Sequence, residues 1–173
     1  TAGAPAVTDL IPSGDLDEDG LLCLAASAER GSEHPLGEAV VAAAVGRNLA
    51  LDTVQEFEAL PGAGVSATVK GRPLLLGNRR LMDSREVALD GLTAQADRLR
   101  EEGKTAIFVA LDGRPAGLIG LADTLKPEAA VAVADLSALG LEIVLVTGDN
   151  PRTAQAVARQ VGIGRVLAEV MPE

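Results

Sequence analysis

The spacing of apolar positions along this chain changes several times, and each change predicts an element. A Pro-containing opening, residues 1–12, ends in a short strand over Ala6–Ile11. Asp15–Asp19 is acidic, which suits the positive end of a helix dipole. Leu21, Leu22, Leu24, Ala25 and Ala28 then recur at helical spacing until Gly31 and Ser32 interrupt them. Pro35 fits the first turn of a second helix, which runs through Leu36, Val40, Val41 and Ala44 to about Arg47. Short strands follow at Val54–Leu60, Val65–Lys70 and Arg72–Leu76, with a hairpin turn at Lys70-Gly71-Arg72. Asp90–Glu102 carries Leu92, Ala96 and Leu99 at helical spacing and closes at Gly103. Ala106–Leu111 and Pro115–Leu121 flank Asp112-Gly113, a strong hairpin signal.

Beyond about Gly120 the pattern becomes that of an open parallel sheet. Pro127–Leu139 is an Ala-rich helix ending before Gly140. Leu141–Val146 is an apolar run interrupted only by Glu142, the signature of a strand buried on both faces. A second helix over Arg152–Val161 and a strand near Gly164–Ala168 complete an αβαβ piece, too short to be a whole domain. The expected fold is therefore α/β: an antiparallel sheet with flanking helices over residues 1–120, joined to a partial parallel α/β unit over 121–173.

Composition narrows the function. Among 173 residues, 47% are hydrophobic, ample for a core. The formal net charge of −10 repels phosphate backbones and anionic lipid. Phe57 and Phe108 are the only aromatics, so base stacking is nearly unavailable and a nucleic-acid partner is not expected. A local cradle of backbone N–H groups still holds phosphate on an acidic protein. One Cys and one His make neither a disulfide framework nor a metal cluster within one chain. The apolar runs are too short for a membrane span, so the chain reads as soluble and cytosolic.

Four segments carry candidate chemistry. Thr147-Gly148-Asp149-Asn150 follows the apolar strand, where ligands of open α/β sheets bind. Thr147 can hydrogen-bond a phosphoryl oxygen and Gly148 lets backbone approach it; a plain turn with Asp149 or Asn150 as helix cap fits equally well. In Ser32-Glu33-His34-Pro35-Leu36, His34 can contact a purine and Glu33 can accept from an exocyclic amine. The alternative is a helix cap from Ser32 or Glu33, with His34 on the surface. Gly62, Gly64 and Gly77-Asn78 allow close approach of a ligand to the backbone, or else mark a bulge and a turn. Asp123-Thr124-Leu125-Lys126 lies at the proposed boundary, as a hinge or a cap.

Taken in order, these segments resemble the heavy-metal-transporting P-type ATPases. Thr147-Gly-Asp-Asn-Pro-Arg-Thr-Ala is similar to that family's TGDNxxTA loop, and Ser32-Glu-His-Pro-Leu to its SEHP motif in the copper-type version. Gly62-Ala-Gly and Gly77-Asn match its glycine motifs, Asp123-Thr-Leu-Lys its hinge, and Ala168-Glu-Val-Met-Pro-Glu the lead-in to its catalytic lysine. The resemblance covers essentially the whole chain. It implies a nucleotide-binding domain plus part of a phosphorylation domain of the haloacid-dehalogenase fold.

The resemblance also implies roles. Glu33, His34, Gly62, Gly64, Gly77 and Asn78 would bind ATP or ADP, with adenine near Glu33 and His34. Thr147, Gly148 and Asp149 would form the phosphoryl-binding loop. Mg²⁺ would act with residues of the phosphorylation domain. The family's phosphorylated Asp, in its DKTGTLT loop, has no counterpart here, so ATP hydrolysis through an aspartyl phosphate would belong to the whole pump. The rest of the phosphorylation domain, the actuator domain and the membrane helices would be partners, at the cytoplasmic face of a membrane. The alternatives are a non-catalytic adaptor of the same fold and a zinc or cadmium pump. A soluble haloacid-dehalogenase phosphatase would need a DxDx(T/V) strand, which is not found.

Overall fold

A computed structural model of the chain describes residues 4–123, 125, 126, 128–148 and 151–170, with Arg152 described by its backbone only. Thr124, Asp149, Asn150 and the terminal 171–173 lie outside the described residues.

The first part runs β1 (Pro5–Pro12), α1 (Glu18–Glu29), α2 (Pro35–Gly46), β2 (Val54–Leu60), β3 (Gly64–Val69), β4 (Arg72–Gly77), α3 (Arg79–Ser84), α4 (Leu92–Glu101), β5 (Thr105–Leu111) and β6 (Arg114–Asp123). The acidic helix start is as expected: Asp17 caps α1, its Oδ1 accepting from Gly20 N at 2.8 Å. Both hairpin turns form where Gly promised them, with positive φ at Lys70 and Gly71 (52° and 75°) and at Asp112 and Gly113 (51° and 72°). Such paired left-handed residues match the twist of the strands they join.

The strands make a six-stranded antiparallel sheet in the order β1-β6-β5-β4-β3-β2. Successive side chains of β5 and β6 go to opposite faces. Val109 and Ile119 join Leu21, Leu22, Val40, Leu74 and Leu76 in a core under α1 and α2. Phe108 and Leu118 join Met82, Leu92, Ala96 and Leu99 in a second core on the other face. With helices on both faces, β5 and β6 are buried almost without interruption, which is why they read as continuous apolar runs. The sequence did not anticipate α3; it buries only Leu81 and Met82, too few positions to show a period.

The remainder is a parallel α/β fragment: α5 (Ala129–Ala138), β7 (Val144–Val146), α6 (Pro151–Val161) and β8 (Arg165–Leu167), with β7 and β8 paired in parallel. β7 is shorter than the apolar run from Leu141 because the Leu141 N–H closes the end of α5, donating to Leu136 O at 3.3 Å. The two parts meet at Gly103 (φ 78°), where a Cβ would fall 2.8 Å from Ala156 Cβ of α6. No residue of α5 is buried; Val131, Leu136 and Leu139 lie on the surface.

Candidate nucleotide site

A cavity of about 420 Å³ opens where α1 turns into α2, against the β2–β3 turn and the end of β4. Its lining is mostly apolar, with Leu36, Ala59, Leu60, Val65, Leu76 and Ile107 as walls. Six residues supply most of its polar or open character: Glu29, Ser32, His34, Gly62, Gly64 and Asn78.

His34 both caps a helix and faces the cavity. Pro35 at the first turn of α2 leaves the next amide, Leu36 N, to be satisfied, and it donates to His34 Nδ1 at 3.2 Å. With Nδ1 accepting, the neutral ring carries its proton on Nε2. Ser32 Oγ accepts from His34 N at 3.3 Å and fixes the approach to the cap. Glu33 is exposed and does not line the cavity.

The acid inside is instead Glu29, the last residue of α1, only 8% exposed. Its Oε2 has no hydrogen-bond partner among the described residues. Burial pushes the carboxyl above the usual carboxylate range, while the Ser32 hydroxyl beside it and the nearby His34 pull the other way. The sequence carried one signal for this group, a Glu at the end of an otherwise apolar helix, five residues before the single His.

The glycines have structural reasons as well. Gly64 and Gly77 are direct cross-strand partners in β3 and β4. A Cβ on Gly64 would overlap Leu76 O, and one on Gly77 would overlap Ala63 O. Neighbouring backbone, rather than a ligand, thus excludes a side chain at both positions. Gly62 has φ 67°, which glycine adopts at low cost, and the one atom near its would-be Cβ is Arg80 Nη2 at 4.0 Å. Asn78 caps α3, accepting from Leu81 N at 3.0 Å, and its Nδ2 donates to Gly62 O at 2.8 Å. It therefore holds the glycine turn against the helix.

Thr147 and Gly148 lie after β7 and do not line this cavity. Thr147 N donates to Leu167 O and Thr147 O accepts from Val170 N, both at 3.0 Å, which ties the loop to β8 and its continuation. That N–H is therefore not a free donor for phosphate. Asp149, the third member of the loop, is outside the described residues.

An α/β scaffold that joins an antiparallel sheet bearing this cavity to a parallel strand–loop–helix fragment has counterparts among known proteins. The chain belongs to the haloacid dehalogenase-like hydrolases, whose family description matches residues 1–173. Within that class its relatives are metal pumps. It is 47% identical over 173 residues to the copper-exporting P-type ATPase of Bacillus subtilis (strain 168), matching 100% of this chain and 22% of that protein. The chain thus spans about a fifth of the length of that relative. Its fold superimposes on a zinc-transporting PIB-type ATPase in the E2.Pi state with a TM-score of 0.90 and 36% identity, over 98% of this chain and 27% of that one. The N-domain of HMA6, a copper-transporting P-type ATPase, is matched over its whole length by 69% of this chain, at TM-score 0.59 and 26% identity. The family resemblance carried by the sequence motifs is borne out by these relatives.

Proposed function

We propose that this chain is the ATP-binding cytosolic region of a heavy-metal P-type ATPase that exports Cu⁺, with residues 1–120 binding nucleotide and 121–173 forming part of the phosphorylation domain. The observation that carries this reading is the Glu29 carboxylate, buried beside the Ser32 hydroxyl with its Oε2 left unpaired among the described residues, at a mostly apolar cavity of small-molecule size. A buried acceptor left empty is unfavourable in the free protein and gains a strong hydrogen bond from a ligand donor. The exocyclic amine of adenine is such a donor, and the apolar walls suit its ring. The Nε2–H of His34 is a second polar handle at the same opening. Glu29 thus takes the role that the motif reading gave to Glu33.

The full match of an isolated N-domain to 69% of this chain supports the division near residue 120. The exposed apolar side chains of α5, β7 and β8, among them Leu136 and Val146, support the remainder being one layer of a larger domain. In the whole pump, phosphates held beyond the cavity would meet the Thr147 loop, Mg²⁺ bound with residues of the phosphorylation domain, and an aspartate nucleophile. The copper relative at 47% identity supports Cu⁺ as the cargo. Since no helix among the described residues is long and apolar enough to cross a membrane, the membrane part of the pump would be supplied by other segments.

A ¹⁵N NMR titration with ATP tests this. Saturable shifts are expected at residues 29–36, 62–64 and 77–78. Glu29→Gln should weaken them about tenfold, as expected for losing a charged acceptor. His34→Ala should weaken them too, and should lower stability by about 0.5–2 kcal/mol through the lost cap. Absence of shifts at millimolar ATP would sink the proposal.

A further inference from the structure

On the proposed reading the cavity would hold the nucleoside, but no Lys or Arg is among its lining residues to meet the phosphates. Its one titratable acid, Glu29, adds negative charge, and the whole chain carries −10. A triphosphate entering there meets a repulsive field unless a local cation offsets it. Arg80 is placed to do so. Its Nη2 lies 4.0 Å from the point a Gly62 Cβ would occupy, so the guanidinium hangs beside the glycine turn at the cavity's edge. The turn is kept there by the Asn78–Gly62 hydrogen bond, and Asn78 also starts the helix that carries Arg80.

Nothing in the fold accounts for Arg80. It makes no ion pair among the described residues, while its neighbour Arg79 pairs with Asp83 at 3.6 Å. Lys104, next to the cavity-lining Thr105, is committed to Asp9 and Glu102 at 2.8 Å each. A cation in the first turn of a helix gains nothing from the backbone dipoles, which favour acidic residues there. Arg80 buries little surface of its own, being exposed.

We infer that Arg80 contacts the phosphates of the nucleotide, drawing the polyphosphate tail across the Gly62 turn while the base sits against Glu29. The inference rests on the nucleotide reading of the cavity. A guanidinium suits the task because its planar fork of donors matches two phosphate oxygens at once. Gly62, without a side chain, keeps the path between base and phosphate open. Arg80 then separates nucleotides by phosphate content, while recognition of the base is left to the cavity.

Calorimetric titration of the 173-residue chain with adenosine, AMP, ADP and ATP separates these roles. Wild-type affinity should rise from adenosine to ATP. Arg80→Gln should weaken ADP and ATP about three- to tenfold and leave adenosine within about twofold, the size expected for one exposed charge-assisted contact. Arg80→Lys should recover part of the loss, and Arg79→Gln should leave all four ligands within about twofold. Added NaCl should weaken ATP binding more in wild type than in Arg80→Gln. Unchanged ATP affinity in Arg80→Gln, or an equal loss for adenosine and ATP, would overturn the role of Arg80 and leave the nucleotide site standing. A wild-type chain that binds none of the four would overturn both.

Discussion

In the proposed site, Glu29 would serve a ligand at the expense of the fold. Its burial raises the carboxyl's pKa, against the opposing pull of Ser32 and His34, so the folded chain holds this proton more tightly than the unfolded chain. No penalty is present below the ordinary Glu value of about 4.3. Stability is lost as pH rises from there through the raised value. Glu29→Gln should therefore raise the thermal midpoint at pH 7 by a stability gain on the order of 1 kcal/mol, fading near pH 4. The same variant should bind ATP less well, a stability–activity trade. Calorimetry at the two pH values checks the first half; a gain that persists at pH 4 would contradict it. Gly37 tests the same arrangement from the other side. A Cβ there would overlap Glu29 Oε2 and lie 3.0 Å from Ser32 Oγ. Gly37→Ala gains up to about 1 kcal/mol in helix propensity, so the fold should survive with little net change. The displaced carboxylate should nevertheless cost several-fold in ATP affinity, measured by the same titration.

Among the elements, the β3–β4 pair is the least tolerant. Gly64 and Gly77 oppose each other where backbone fills the space of both side chains. Gly77→Ala should destabilise the chain by about 2–3 kcal/mol in urea unfolding, because Ala63 O is backbone and cannot swing away. The first strand is fastened differently. Asp9 of β1 pairs with Lys104 at 2.8 Å, both largely buried, joining the edge of the sheet to the turn after α4. Burial alone would raise the Asp9 carboxyl, but hydrogen bonds from Lys104 and Thr8 outweigh it and hold the group below its usual value. Its stabilisation is present above the unfolded carboxylate value and lost as pH falls through the lowered one. Lys104→Met should cost about 1–3 kcal/mol at pH 7, and the difference from wild type should shrink below about pH 4. At the opposite edge, β2 is exposed but bulged at Glu56 (φ 53°) and lined with Glu56 and Glu58. A bulge and charge of this kind discourage pairing with another chain.

The molecule as a whole is stabilised unevenly. Its two cores lie on either side of one sheet, and β5 and β6 contribute to both. The parallel fragment is held by α6, where Ala154, Ala156 and Ala158 are buried, while α5 buries nothing. Few buried contacts mean low-energy local opening. Amide hydrogen exchange should therefore be slow throughout β5 and β6 and much faster in α5. Equal protection of α5 and β6 would show that the exposed face of α5 is covered in solution.

The local elements were legible because their signals are local. Period, turn pairs such as Asp112-Gly113 and the acidic start of α1 depend on neighbours in sequence, so strands and helices appear where those residues predict them. The motifs likewise pointed to the right family, since each is a short run of fixed spacing. What escaped was decided by distance in space. The helix α3 has two buried residues and no readable period. Glu29 and Glu33 are both acids near His34, and only the packing of α1 against α2 determines which one faces the cavity. At Gly64 and Gly77 strand register sets neighbouring backbone where a side chain would go, a constraint the sequence does not show. The chain's sequence by itself determined the elements and the kinship; the tertiary structure decided which charged groups are buried, because burial depends on residues brought together from α1, α2, β3, β4 and β5.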